Sequence, residues 1–399
     1  MRRGLALLLR LLGGFAALSL VLLLAAWSLA RPTTPDAFYA APETLPAEPG
    51  RLLRQQVFER DLPAGVQAWR ILYTTTDTHG AAALSSAIVM VSRSAPPGPR
   101  PVIAWTHGTT GAVPGCAPSL LADPFANVPA LGPLIERGWV FVATDYAGQA
   151  TPGPHPYLIG EGEARSALDA VRAARRMADL NAGPQTVVWG HSQGGHAALW
   201  SGILAPSYAP DLALAGVAAA APASDLLPLI DVVQHTLVGR IMTSYVMRAY
   251  ADTYADVRWD DYVGGWYARR AAADMARRCL AGGQAMVAVA LASTLRGSIF
   301  SADPQGGALG ERLRQNTPER PILAPLLVAQ GEADDLVLPD VQARWVARRC
   351  AAGQRIDYRP YAGHDHLSLV AADSPFSADL VRWTEDRFAG RPAATNCPS

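Results

Sequence analysis

The sequence contains no lysine, so all 34 of its basic side chains are arginines. The absence of lysine excludes Schiff-base and pyridoxal-phosphate chemistry, the phosphate-binding P-loop, and acylases that use a Ser-x-x-Lys motif. Acidic side chains also number 34, which gives a formal net charge of zero and a pI near 7.1. This balance leaves no electrostatic footprint for nucleic acid, so we predict that the protein does not bind it.

The composition is that of a globular protein with a large core. Hydrophobic residues make up 50% and charged residues 17% of the 399 residues, which excludes intrinsic disorder. This length suggests one large α/β domain or two ordinary ones.

Residues 1–30 are typical of an export signal. Arg2 and Arg3 precede an apolar run from Leu11 to Leu29, and Ser28-Leu29-Ala30 offers a small-x-small cleavage site. Because the run approaches the roughly 20 residues that span a bilayer, an uncleaved anchor is the alternative. In either case we expect the rest of the chain to be secreted or periplasmic.

Four cysteines, none in a Cys-x-x-Cys pair, follow this segment: Cys116, Cys279, Cys350 and Cys397. An even number of cysteines in an exported chain favours two disulfides over a metal site. Three pairings are compatible with the sequence alone.

Apolar β-type runs alternate with helical patterns along most of the chain, which predicts an α/β fold with a mostly parallel sheet wrapped by helices. Residues 31–50 are rich in proline and are predicted to be a linker. The alternation breaks at 222–321, a mostly helical stretch that we interpret as an insertion over the strand ends, where such sheets bind ligands. Residues 51–221 and 322–399 would then form the first and last parts of the core. The predicted strands are Leu52–Phe58, Val66–Thr75, Leu84–Val91, Pro101–Trp105, Val140–Thr144, Thr186–Trp189, Leu214–Ala221, Pro325–Ala329 and Ile356–Tyr361, and the clearest predicted helix is Glu163–Leu180.

The segment Gly190-His191-Ser192-Gln193-Gly194-Gly195 predicts a nucleophilic serine. A bare Gly-x-Ser-x-Gly is weak evidence, but here Val187-Val188 ends a strand before it and a helical pattern begins directly after it. A strand-to-helix turn needs small residues on both sides so that the serine can adopt a strained, exposed position.

A serine hydroxyl needs a base to remove its proton and a carboxylate to orient that base. In hydrolases with this turn the order is Ser, Asp, His, and the sequence supplies both partners after predicted strands. Asp334 is favoured over its neighbour Asp335 as the carboxylate. The histidine is His364 or His366.

The Thr106–Gly111 segment follows the strand Pro101–Trp105 and predicts an oxyanion hole. A His-Gly turn at this place brings backbone N–H groups toward the nucleophile, and the N–H of Gln193 would complete the hole. Thr109 is the first choice for the second donor and Thr110 the alternative.

Taken together, these motifs resemble the secretory lipase family of the α/β-hydrolase superfamily. The resemblance implies a central sheet flanked by helices, a helical cap insertion at 222–321, and an exported ester hydrolase. It favours His366, because the family's catalytic histidine is typically followed by leucine. It also implies the disulfides Cys116–Cys279 and Cys350–Cys397. The matching segments are 107–111, 116–119, 145–148, 155–157, 169–174, 190–199, 331–337 and 361–367.

We therefore predict a lipase or esterase in which Ser192 attacks the ester, His366 carries the proton and Asp334 orients it, without a metal or other cofactor. Its partner would be a small-molecule or lipid ester, with a membrane or lipid interface as an additional contact, and its oligomeric state is open. The alternatives are a catalytically silent hydrolase fold that binds a ligand, a serine peptidase or acyltransferase on the same triad, and a metal-dependent hydrolase using His364 and His366 with Asp365 or Asp334. The last lacks a His-Glu-x-x-His motif.

Overall fold

The computed structural model of the protein describes residues 30–398 together with residues 13, 14, 17 and 21. The predicted export signal at 1–30 thus lies almost entirely outside the described residues. No helix in the described part of the chain has the length and hydrophobicity needed to span a bilayer.

Nine strands form one sheet within residues 30–398. They are β1 (Leu52–Val57), β2 (Val66–Thr76), β3 (Ala82–Ser92), β4 (Arg100–Thr106), β5 (Val140–Thr144), β6 (Ala182–His191), β7 (Ala213–Ala220), β8 (Leu326–Gly331) and β9 (Asp357–Tyr361). The order across the sheet is β1-β2-β3-β5-β4-β6-β7-β8-β9. Pairing is antiparallel from β1 to β5 and parallel from β5 to β9.

Eleven α-helices accompany the sheet in the described residues. They are α1 (Leu131–Glu136), α2 (Gly160–Arg175), α3 (Gln193–Tyr208), α4 (Leu226–Val233), α5 (Leu237–Thr253), α6 (Trp259–Tyr262), α7 (Trp266–Met275), α8 (Gly282–Thr294), α9 (Gly307–Asn316), α10 (Pro339–Ala351) and α11 (Pro375–Phe388). Alternate residues of the parallel strands belong to two separate apolar clusters, one on each face. Helices α2, α3 and α10 contribute to one cluster, and α1 and α11 to the other. The sheet is thus covered on both faces, which is why a strand such as β5 is buried throughout and apolar from Val140 to Ala143.

The segment between β7 and β8 contains helices α4 to α9, and one isolated bridge joins Val263 to Phe300. We call residues 222–321 the cap. Its buried side chains continue the cluster that contains α1 and α11.

Two disulfides connect distant parts of the chain in the pairing that the resemblance implies. Cys116–Cys279 ties the region after β4 to the cap, and Cys350–Cys397 ties the end of α10 to the C-terminal segment.

The proline-rich segment 31–50 packs against the core. Tyr39 is 1% exposed, and its hydroxyl lies 2.9 Å from the Ser119 hydroxyl oxygen. A salt bridge of 2.9 Å joins Arg70 to Asp36 at the surface. The segment that composition predicts to be a linker thus contacts Ala117 and Ala150 through the buried side chain of Tyr39.

Candidate active site

Ser192 occupies the sharp turn between β6 and α3. Its φ of 59° and ψ of −120° are strained for a residue with a side chain. The turn requires glycine on both sides. A Cβ on Gly190 would lie 2.0 Å from the carbonyl oxygen of Gly194, and a Cβ on Gly194 would lie 1.8 Å from that of Thr106. A strained serine at the end of a parallel strand is the geometry of a nucleophile elbow.

Backbone hydrogen bonds hold this elbow against the next strand. The Ser192 N–H donates to the Ala220 carbonyl at 3.0 Å, and its own carbonyl accepts from Ala223 N–H at 3.2 Å and His196 N–H at 3.1 Å. The Ser192 hydroxyl makes no hydrogen bond to any residue that the structure describes, and the residue lines a cavity. The hydroxyl is therefore available to a ligand.

Asp334 and His366 form a buried pair after β8 and β9. His366 Nδ1 lies 2.7 Å from Asp334 Oδ2, which also accepts from Gln330 Nε2 at 3.2 Å. Asp334 Oδ1 accepts from the N–H groups of Leu336 at 2.9 Å and Val337 at 2.8 Å. Because the proton on Nδ1 is directed at the carboxylate, Nε2 is the imidazole nitrogen that can act as a base.

The two residues that the sequence offered as alternatives for the carboxylate and the histidine do not take part in this pair. Asp335 is exposed, next to the buried Asp334. His364 is half-buried, and its Nδ1 lies 3.2 Å from the carbonyl oxygen of Ser368.

His191 connects the pair to the elbow. Its ring lies 4.6 Å from the His366 ring, centroid to centroid, and its Nε2 lies 2.9 Å from the His366 carbonyl oxygen. Burial, with a smaller contribution from the charge of His366, holds the pKa of His191 well below the usual histidine value. A neutral His191 thus donates from Nε2 to the His366 carbonyl. Because Ser192 directly follows His191, this hydrogen bond holds the backbone of His366 against the elbow.

The loop after β4 runs alongside the elbow. A Cβ on Gly108 would lie 3.3 Å from the His191 carbonyl oxygen and 3.6 Å from Ser192 Cβ. Burial lowers the pKa of His107 to about 4, so its ring is neutral near pH 7, and its Nδ1 lies 2.7 Å from the Gly108 carbonyl oxygen. His107 thus contributes to the structure of the loop through its contact with the Gly108 carbonyl.

The two threonines of this loop have different surroundings. Thr109 lines the same cavity as Ser192 and Gln193, and its hydroxyl lies 2.9 Å from that of Tyr157. Thr110 is held from the other side, because its carbonyl accepts from Leu280 N–H at 2.7 Å. Gln193 is the first residue of α3, where backbone N–H groups have no partner within the helix.

The cavity over the elbow is mainly apolar and has a volume of about 60 Å³, which is room for a few water molecules. Its floor consists of Ser192, Gln193 and Thr109. Its roof is formed by α4 and α5 of the cap, which contribute Leu226, Leu229, Ile230, Val233, Met242, Thr243 and Val246.

Sequence reasoning did not single out Glu163. In the sequence it is an acidic residue at the start of an amphipathic helix, where acidic residues are common. In the structure it is fully buried and hydrogen-bonded to the side chain of Gln193. No local pattern distinguishes a buried first-turn glutamate from a solvated one.

No group of three or more histidine, cysteine, aspartate or glutamate residues is arranged to hold a metal ion in the described part of the chain.

Comparisons with known proteins agree with this architecture. Residues 126–396 match the sequence profile of a family described as secretory lipase. A Mycobacterium tuberculosis protein named as a probable inactive lipase is 26% identical, over 91% of this chain and 84% of that protein. Lipase 6 of Candida albicans is 22% identical, over 92% of this chain and 84% of its own length. The X-ray structure of Candida antarctica lipase A superposes with a TM-score of 0.75 at 20% identity, covering 92% of this chain and 88% of that chain.

The structural similarity, together with the mostly parallel sheet flanked by helices, confirms the predicted α/β-hydrolase fold. The family match extends over more than half of the residues, from the region before α1 to the C-terminal segment. The chain belongs to the secretory lipase family.

Proposed function

We propose that the protein is an exported serine hydrolase that cleaves carboxylic esters. The observation that carries this proposal is the strained elbow at Ser192, which shares its cavity with Thr109 and is joined through His191 to the His366–Asp334 pair. Family membership supports a lipase or esterase activity. Two disulfides support export, because such bonds persist in oxidising compartments.

The reaction follows from the roles of these groups. Ser192 Oγ attacks the ester carbonyl carbon while His366 Nε2 takes its proton, and Asp334 stabilises the imidazolium. The N–H groups of Thr109 and Gln193 donate to the developing oxyanion. His366 then protonates the departing alcohol, which leaves an acyl group on Ser192. Water, deprotonated by His366, releases the acid and restores the serine.

The cavity favours an apolar acyl group. Its roof consists mostly of aliphatic side chains from the cap, and its volume of about 60 Å³ limits what fits without movement. An acyl chain of more than a few carbons would require α4 and α5 to shift outward. Lipid esters and short-chain esters are therefore both candidates. Long-chain lipid esters would require α4 and α5 to shift outward, whereas short-chain esters would not.

A catalytically silent binding protein is the second candidate, because a relative is named as a probable inactive lipase. In this chain Asp334 receives hydrogen bonds from two backbone N–H groups, from Gln330 and from His366. A protein that only bound a ligand would have no chemical need to orient an imidazole in this way. This argument favours catalysis.

Hydrolysis of p-nitrophenyl esters from acetyl to palmitoyl tests the proposal. We expect turnover, with covalent labelling by a fluorophosphonate that peptide mass spectrometry locates at Ser192. The chain length of maximal activity separates an esterase from a lipase. Labelling at another serine, or binding of esters without turnover, would contradict the assignment. Turnover of amides or transfer to alcohols would identify a peptidase or an acyltransferase.

We further propose that the outer face of the cap contacts the lipid–water interface of an aggregated substrate. Of the ten large apolar side chains that are exposed within residues 30–398, seven lie in the cap: Val232, Leu237, Val238, Trp266, Tyr267, Met286 and Val289. Helix α8 has no charged residue in its 13 positions, yet only Ala288 and Ala292 are buried. An apolar helix of this kind is normally buried, so its exposure indicates a nonaqueous contact.

The elements that carry these side chains are linked to one another. Arg240 of α5 donates to the Ala292 carbonyl at 3.0 Å, and the Tyr267 hydroxyl of α7 donates to Thr294 of α8 at 2.6 Å. Helices α4 and α5 also line the cavity from the inside. A lipid surface fits this face better than a protein partner, because α8 offers no charge for ion pairs.

The double substitution Met286→Glu with Val289→Glu should lower hydrolysis of emulsified tributyrin about tenfold or more. Transferring each apolar side chain into lipid contributes about 1.5–3 kcal/mol, which two carboxylates would remove. Turnover of soluble p-nitrophenyl acetate should not change. The control is Val57→Glu with Leu323→Glu, which adds the same charge at exposed apolar positions outside the cap. Equal losses in the two variants on the emulsion would contradict interfacial contact through this face.

A further inference from the structure

A buried carboxylate lies behind the nucleophile elbow and has no part in the triad. Glu163, in the first turn of α2, is fully buried. Its Oε1 accepts from Gln193 Nε2 at 2.7 Å and from Leu158 N–H at 3.0 Å. Its Oε2 lies 3.0 Å from His196 Nδ1. One carboxylate thus contacts the residue after the nucleophile, a residue of the cavity wall and a histidine one turn into α3.

The surroundings of His196 fix where a proton must lie. His196 Nε2 is 2.8 Å from the carbonyl oxygen of Asn316, which can only accept, so Nε2 carries a proton. Glu163 Oε1 already accepts two hydrogen bonds, from Gln193 and Leu158. The contact between His196 Nδ1 and Glu163 Oε2 needs a proton as well, because two lone pairs would repel each other there. The pair is neutral overall, as an imidazolium with a carboxylate or as a neutral imidazole with a carboxylic acid. Burial raises the pKa of Glu163, opposed by the hydrogen bond and charge of His196.

The network continues into the cap. Asn316, the last residue of α9, accepts through its carbonyl from His196 and also from Trp200 Nε1 at 2.9 Å. Its side chain accepts from Gly160 N–H at 3.0 Å and donates to the Tyr254 hydroxyl at 2.9 Å. The end of the cap is therefore joined to the first turns of both α2 and α3.

Gln193 links this network to the oxyanion hole. Its backbone N–H is one of the two proposed oxyanion donors, and its side chain has one strong hydrogen bond, to Glu163. The residue is 1% exposed, so water cannot replace that bond without opening the core. Leu158, held by the same carboxylate oxygen, lines the cavity and has a left-handed φ of 54°.

We propose that Glu163 is a positioning residue for the oxyanion hole. It fixes the side chain of Gln193 from behind, so that the backbone N–H of Gln193 stays directed at the oxygen of the reacting ester. It also fixes Leu158 in the wall beside it. This role rests on the proposed ester hydrolysis at Ser192. A buried residue outside the triad would then contribute to stabilising the transition state.

Three variants test the role, each measured as kcat per active site titrated with a fluorophosphonate. Loss of a whole oxyanion donor costs about 10²–10³ in kcat, and we expect a misdirected donor in Glu163→Ala to cost about 30-fold or more, with KM changed by less than about threefold. Gln193→Ala keeps the backbone N–H but removes the same bond, so it should lose kcat to a similar extent. The double variant should be little worse than either single one, because both break one interaction.

Glu163→Gln should restore most of the activity, to within about fivefold of the wild type. A glutamine oxygen can accept from Gln193 and Leu158, and its amide can donate to Nδ1 of a neutral His196. Such rescue would not be expected if the negative charge itself were required.

The matched control is Asp169→Ala, also a buried carboxylate on α2. Its partners are Thr75, Tyr208 and Arg172, none of which lines the cavity. It should lower the melting temperature without changing kcat per titrated site. If Glu163→Ala behaves in the same way, or if Gln193→Ala keeps its kcat, the positioning role is wrong. If the wild-type serine is not titrated at all, the proposed function fails instead.

Discussion

Replacing Ser192 with alanine is expected to lower kcat on p-nitrophenyl esters by about 10⁵-fold or more, because a triad without its nucleophile loses nearly all covalent catalysis. The variant should remain folded. The hydrogen bonds of the elbow use the Ser192 backbone, and the side-chain hydroxyl has no partner among the described residues that its removal would leave unpaired. Alanine also has the same Cβ, so the strain at φ 59° is unchanged.

Ser201→Ala is the matched control for this variant. Ser201 is buried in α3, the helix that follows Ser192, and its hydroxyl donates to the Ala197 carbonyl at 2.8 Å within that helix. Its replacement should leave kcat and phosphonate labelling close to the wild-type values. Ester turnover that survives in Ser192→Ala to within tenfold would mean that the elbow is not catalytic.

The positions of the strands could be predicted well because local hydrophobicity determines them. The run Val140–Thr144 is β5 residue for residue, since it lies in the sheet interior and is apolar on both faces. The strand predicted at Thr186–Trp189 extends in the structure from Ala182 to His191. Gly183 and Pro184 are typical turn residues, and pairing of Ala182 with Arg100 of β4 overrides that tendency.

The helix predicted at Glu163–Leu180 begins earlier and ends earlier, at Gly160 and Arg175. Glycine is a poor helix former, so nothing local favours a start at Gly160. The tertiary structure requires glycine at this position, because a Cβ on residue 160 would lie 2.2 Å from the ring of Trp200. The contact is between two helices, and a single sequence does not report which residues face one another.

Features of the site that depend on local sequence could be predicted, whereas those that depend on contacts between distant residues could not. Ser192 is recognisable because its turn chemistry is local. Asp334 and Asp335 are adjacent and chemically alike, and only the fold buries one and exposes the other. The role of Glu163 could not be predicted from the sequence, because it depends on a hydrogen bond to Gln193, 30 positions away in the chain.

Replacing His366 with alanine is the second substitution with a very large expected effect. Without its imidazole, Ser192 has no base, and kcat should fall by about 10⁵-fold. The site should otherwise persist. Asp334 keeps its hydrogen bonds from Leu336, Val337 and Gln330, and the position 366 carbonyl still accepts from His191. Circular dichroism and the melting temperature check that the variant is folded.

His364→Ala distinguishes the two histidines that the sequence left open. The His364 ring contacts the Ser368 carbonyl and makes no hydrogen bond to Asp334, so its loss should change kcat by less than about threefold. Both variants remove one imidazole from the same loop, two residues apart, so nonspecific damage to the loop should affect both of them alike. A large loss of kcat in His364→Ala with activity retained in His366→Ala would reverse the assignment. A large loss in both variants would mean that the measurement reports damage to the loop rather than the loss of one proton carrier. The rate of fluorophosphonate labelling at Ser192 would then distinguish loop damage from loss of the base. In a folded site, only removal of the base slows that labelling.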